Sequence, residues 1–183
     1  MRIAVIGTGG VGGYFGARLS EAGEDVTFIA RGAHLEAMKN KGLAIHSPLG
    51  NMHLDKIQCT DDPSTIAPVD IVMIAVKLWA TNEAIEAARP LLSEGTGIIS
   101  FQNGILAEEL LLKAFTKTHA MGGVANIAAL IEEPGVIRHN GTMASLFFGE
   151  LDNESSSRSK LLLEACEKAN ITASIPEDIN RAI

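Results

Sequence analysis

The segment RIAVIGTGGVGG at residues 2–13 constrains this chain more than any other. A short apolar run ends at Gly7. Gly7-Thr8-Gly9-Gly10-Val11-Gly12 then spells G-x-G-x-x-G ahead of VGGYFGARLSEAG, a stretch with helical spacing that Gly23 closes. In a strand–turn–helix unit each glycine of the motif has a separate task. Gly7 permits the tight turn, Gly9 keeps a side chain away from the front of the helix, and Gly12 lets the helix lie close on the sheet. The first helical amides lack intrahelical acceptors and carry the positive end of the helix dipole, so the turn suits an anion such as a dinucleotide pyrophosphate. A merely glycine-rich turn would share the spelling, but the motif sits where the mechanism requires it.

The rest of the chain continues the alternation. EDVTFIA (24–30) predicts a second strand and AHLEAMKNKG (33–42) a short helix stopped by Gly42, which together complete a right-handed βαβ unit. Residues 43–60 predict two strands joined by the turn Pro48-Leu49-Gly50-Asn51. DIVMIAV (70–76) is the clearest buried strand, followed by a helix over 79–92, a strand over 96–102 and an amphipathic helix over 105–115. Residues 119–151 shift to strand character, with Pro134-Gly135 and Asn140-Gly141 as turn signals, and Met121-Gly122-Gly123 reads as close strand packing ahead of the alternative, a phosphate-like loop. A serine-capped helix, a last strand ITASI (171–175) and a helix opening at Pro176, Glu177 and Asp178 complete the reading. The expected fold class is α/β, a doubly wound sheet with a β-rich C-terminal extension.

Composition narrows the ligands and partners. The chain is 46% hydrophobic but 4% aromatic and carries a net charge of −7, so it lacks the stacking surfaces and the basic field of a nucleic-acid reader. Any anionic ligand must be drawn by local features. The longest apolar runs are strand length, and strand-like residues start at Arg2, which leads us to expect a cytoplasmic protein without leader or membrane span. Cys59 and Cys166 suit reduced thiols, and five histidines without metal-site spacing argue against zinc.

Arg31 lies where the second strand should end, nineteen residues past Gly12. An acidic residue there would hold the ribose hydroxyls of NAD, whereas a guanidinium forms paired, charge-assisted bonds with a 2′-phosphate, so the cofactor expected is NADPH. A solvated arginine at a strand end is the plainer reading. Lys77 ends the IVMIAVK strand at the ligand side of a parallel sheet, where it reads equally as a phosphate, ribose or substrate contact and as a solvated cap. Asn103 in SFQNGI has the same placement after the next strand; it reads as a contact to ribose or substrate oxygen, and also as half of an Asn-Gly turn.

IAVIGTGGVGGYFGARLSEAGEDVTFIARG, VKLWAT, FQNG and the terminal PEDINRAI together resemble the ketopantoate reductase family of NADPH-dependent 2-dehydropantoate 2-reductases, and the likeness spans essentially the whole chain. The resemblance implies a Rossmann-type domain over 1–175, with 176–183 starting the helix that leads into a helical second domain absent from this chain. It implies cofactor contacts at Gly7, Thr8, Gly9, Gly10, Val11, Gly12, Arg31, Lys77, Asn103 and Ala128, with Asn103 also at a small 2-keto acid substrate. The family's catalytic lysine would follow Ile183, so the chain alone is expected to be inactive and to self-associate through the face that the second domain would cover. A non-catalytic NADP-binding sensor and a reductase of another 2-keto acid are the competing functions.

Overall fold

The computed structural model of the chain describes residues 1–102 and 106–183. In chain order the elements are β1 (Arg2–Ile6), α1 (Gly10–Glu21), β2 (Asp25–Ile29), α2 (Gly32–Lys41), β3 (Leu43–His46), β4 (Met52–Leu54), β5 (Gln58–Thr60), β6 (Ile71–Ile74) and α3 (Thr81–Ala88). They continue with β7 (Gly97–Ser100), α4 (Leu106–His119), β8 (Ala120–Glu133), β9 (Val136–Glu150), α5 (Ser157–Lys168), β10 (Thr172–Ser174) and α6 (Ile179–Ala182). One sheet holds all the strands in the order β4-β3-β9-β8-β7-β6-β1-β2-β5, with β10 added beside β9.

From β8 across to β5 every neighbouring pair is parallel. The chain lays strands outward from β1 through β2 to β5, then starts again beside β1 with β6 and proceeds through β7 to β8. The order therefore reverses between β1 and β6, and a crevice opens beyond their carboxyl ends. Helices cover both faces of this region, which explains the uninterrupted apolar runs of β1 and β6. Ile3 and Val5 enter one core with Phe15, Leu19 and Phe28, while Ala4 and Ile6 enter the other with Ile85, Leu111 and Phe115. Burying each such large side chain contributes about 1.5–3 kcal/mol, enough to fix which side of the sheet each residue faces.

Several local expectations change. Residues 43–60 form three strands: β3 and β4 pair antiparallel, and β5 crosses to the far edge to run parallel with β2. Leu54, Ile57 and Cys59 pack against the core, which draws that segment back to the sheet. The β8–β9 hairpin turns once, at Pro134-Gly135, where Gly135 takes φ 84°. Asn140-Gly141 ends no strand. It is taken up as a bulge, with Ile127 facing Ala144 and Ala128 facing Asn140. Both halves of β9 stay in the sheet because β3 pairs with residues 136–138 and β10 with residues 145–147.

The helix expected over 79–92 contracts to α3 between two 3-10 turns, the second containing Pro90, which has no N–H to extend a helix. Pro176 and Glu177 precede α6 instead of forming its first turn. Asp178 caps that helix, its carboxylate accepting the Asn180 N–H, while Ser156 caps α5 through the Ser159 N–H. Among the described residues no helix is long and apolar enough to cross a membrane.

Candidate functional site

The loop from β1 into α1 is fixed by the strands around it. The amides of Gly7 and Thr8 and the Thr8 hydroxyl all donate to the Ile29 carbonyl at the end of β2. Thr8 is buried. Gly7 has φ 94°, in the left-handed region, and a Cβ there would lie 2.8 Å from the Val76 nitrogen, so its glycine answers both conformation and the approach of the β6 terminus. A Cβ on Gly12 would overlap the Gly7 carbonyl, and one on Gly10 the Ala129 carbonyl on β8. These three glycines are demanded by the protein's own packing.

Gly9 is different. Its φ of −87° is open to any residue, and among the described residues a Cβ there meets no atom within 4 Å beyond its own chain neighbours. Among the described residues no packing contact requires glycine at this position; the space in front of it belongs to a cavity. Gly9 is the N-cap of α1 without a side-chain cap, and the first turn holds no acidic residue, so the helix presents bare amides and its positive end. A pyrophosphate fits that surface in shape and in charge.

The cavity has a volume of about 880 Å³ and lies at the crevice between the β1 and β6 termini. Its wall includes Gly7, Thr8, Gly9, Gly10 and Val11, then Arg31, Lys77 and Ala128, so the expected positions converge on one space from four separate stretches of chain. Gly12 lies beneath this surface, buried by the helix–sheet contact. Asn103 lies outside the described residues. Arg31 is the N-cap of α2, and its Nη1 donates a 2.6 Å hydrogen bond to Glu83 Oε1 of α3. Lys77 begins the 3-10 turn before α3, is exposed, and forms no ion pair among the described residues.

Sequence reasoning passed over Glu83, His34 and Gln102. Gln102 is buried two residues past β7; its Nε2 donates to the Val76 carbonyl at 2.8 Å and to the Thr81 hydroxyl at 3.0 Å. That amide ties the loop carrying Lys77 to the neighbouring strand. His34 also lines the cavity, and its Nδ1 accepts the Gly135 N–H at 3.1 Å. Burial lowers its pKa below the ordinary histidine value, with the nearby Thr8 backbone opposing. Neighbouring glutamine and asparagine in FQNG were a signal for Gln102. Glu83 had none, being 52 residues from its partner.

Residues 3–153 match the family model described as ketopantoate reductase PanE/ApbA. The chain is 37% identical over 165 residues to an uncharacterized oxidoreductase, YkpB, of Bacillus subtilis, a match covering 90% of this chain and 54% of that protein. It is 37% identical over 142 residues to a 2-dehydropantoate 2-reductase of Pyrococcus abyssi, covering 77% of this chain and 45% of the relative. The crystal structure of 2-dehydropantoate 2-reductase from Geobacter metallireducens superposes with a TM-score of 0.93 at 34% identity, covering 100% of this chain and 60% of that one. The chain thus spans about half the length of the curated relatives it matches.

Proposed function

The chain belongs to the ketopantoate reductase family, and from that premise we propose that residues 1–183 hold NADPH for an oxidoreductase that reduces a 2-keto acid, 2-dehydropantoate to pantoate. The observation that carries the cofactor reading is Gly9, a glycine that no contact among the described residues requires, facing an open cavity at a helix terminus without a side-chain cap. The amides that open α1 would receive the pyrophosphate, and Arg31 the 2′-phosphate, where its fork exchanges one carboxylate for a phosphate. When bound, NADPH supplies the hydride for the ketone carbon.

The chain's own residues then bind and orient. Gln102 fixes the Val76–Lys77 loop through the carbonyl and hydroxyl it bonds, which keeps the Lys77 ammonium beside the crevice. Lys77 and Asn103 are proposed to face the nicotinamide end and the substrate carboxylate or ketone oxygen, Ala128 to offer backbone to the cofactor, and a lysine outside residues 1–183 to protonate the developing alkoxide. Choice of 2-dehydropantoate over other 2-keto acids follows the names of the relatives; reduction of another branched 2-keto acid would use the same cofactor residues.

Calorimetric titration with NADPH and NADH tests the reading. NADPH binding more tightly than NADH, with the preference lost in Arg31→Ala, is the expected result; equal affinities in the unaltered protein would overturn it.

A further inference from the structure

Glu83 is the one carboxylate among the described residues lining the cavity, and it sits at the residue proposed to receive a phosphate. It is presented by the first turn of α3, and its Oε1 accepts from Arg31 Nη1 at 2.6 Å. The pair joins the β2–α2 and β6–α3 connections, so it bridges the crevice on either side of the strand-order reversal. Arg31 is 61% exposed and Glu83 58%, and an exposed pair of this kind is held by no more than about a fivefold preference. A 2′-phosphate, with its higher charge, can displace such a partner.

We propose that Glu83 sets how strongly the cavity discriminates between dinucleotides with and without a 2′-phosphate. It does so as the resident counter-ion of Arg31. The inference rests on the reading of the cavity as an NADPH site and adds a specificity residue to it. NADPH must break the pair and then bring phosphate close to a carboxylate, whereas NADH can leave the pair intact. Glu83 also returns an acceptor to the ribose end of the cavity, a role that an acidic residue at the end of β2 fills in NAD-binding sites and that Arg31 cannot fill here. The carboxylate reaches that place from another βα unit.

The test is titration of the purified chain and of Glu83→Gln with NADPH and NADH, at low salt and at about 0.5 M salt. Glu83 is exposed, and glutamine keeps its size, so folding is spared; an unchanged thermal transition serves as the control. The expected result is NADPH affinity raised about two- to tenfold with NADH affinity unchanged or lower, the gain shrinking at high salt. An unchanged NADPH-to-NADH ratio overturns the inference, as does equal tightening of both nucleotides, which would mark a general effect on the cavity. Failure of the unaltered chain to bind either nucleotide overturns the cofactor reading and the inference together, whereas normal NADPH preference with an unmoved ratio removes the role of Glu83 alone.

Discussion

Gly7 and Gly9 stand two residues apart in one loop, and the structure assigns them opposite consequences when substituted. In Gly9→Val the new side chain enters space where, among the described residues, no atom beyond its chain neighbours lies within 4 Å of its Cβ, at a φ of −87° that valine adopts readily. Folding stability should change by no more than about 1 kcal/mol, the scale of an altered helix N-cap. The same side chain would stand in front of the α1 amides. Losing two hydrogen bonds to a charged phosphate, at about 1.5–3 kcal/mol each, weakens binding of either nucleotide by roughly 10²–10⁴-fold. Gly7→Ala instead forces a Cβ to φ 94° and to 2.7 Å from Val76 Cγ1 and 2.8 Å from the Val76 nitrogen. A left-handed backbone costs about 1–2 kcal/mol and overpacking about 1–3, so the fold itself should lose about 2–5 kcal/mol. For a chain of this size that is a fall of about 5–15 °C in Tm. Thermal denaturation and NADPH titration on both variants separate the effects. A Gly9→Val protein that binds NADPH like the unaltered chain would refute the placement of the pyrophosphate; a Gly7→Ala protein of unchanged Tm would refute the packing argument.

Arg31→Ala should weaken NADPH binding by about 10- to 100-fold and leave NADH within a few-fold, as read by calorimetry, because the guanidinium is proposed to bind the 2′-phosphate that NADH lacks. Residues 1–183 saturated with NADPH should show negligible reduction of 2-dehydropantoate in a steady-state assay. A general acid of the kind proposed to lie outside residues 1–183 contributes about 10²–10⁴-fold, and rates near those of ordinary reductases would place that acid inside the chain. Burial pushes the Cys166 thiol up to about 12, from an ordinary value near 9. Between those values the folded state retains a proton that the unfolded state releases, so this group's contribution is complete below pH 9 and is lost at up to about 1.4 kcal/mol per pH unit on the way to 12. Denaturant titrations of the unaltered protein and Cys166→Ala across that range should differ in slope, and parallel slopes would contradict the burial.

The strand–turn–helix start was fully legible in the sequence because its information is local. A strand, three glycines in register and a helical repeat lie within one short stretch; Gly7 and Gly12 answer contacts within the turn and with the strand beside it, and Gly9 faces the cavity. The alternation of apolar runs and amphipathic stretches likewise announced the βα units and the placement of Arg31 and Lys77 at strand ends, since a parallel sheet puts every such end on the same side. What local sequence could not specify was any pairing set by distant chain. Asn140-Gly141 carries the same letters as a hairpin turn, yet it becomes a bulge because β3 and β10 hold β9 on both sides of it. Residues 58–60 leave their sequence neighbours for the edge beside β2. The meeting of Arg31 with Glu83, and of Gln102 with the loop before α3, follows from strand order alone: β6 returns to lie against β1 and carries its own loop to the crevice. Periodicity fixes which way a side chain faces along its own strand or helix, but which faces meet is decided by the order of strands in the sheet, and that order emerges only when the whole chain buries both sides of it.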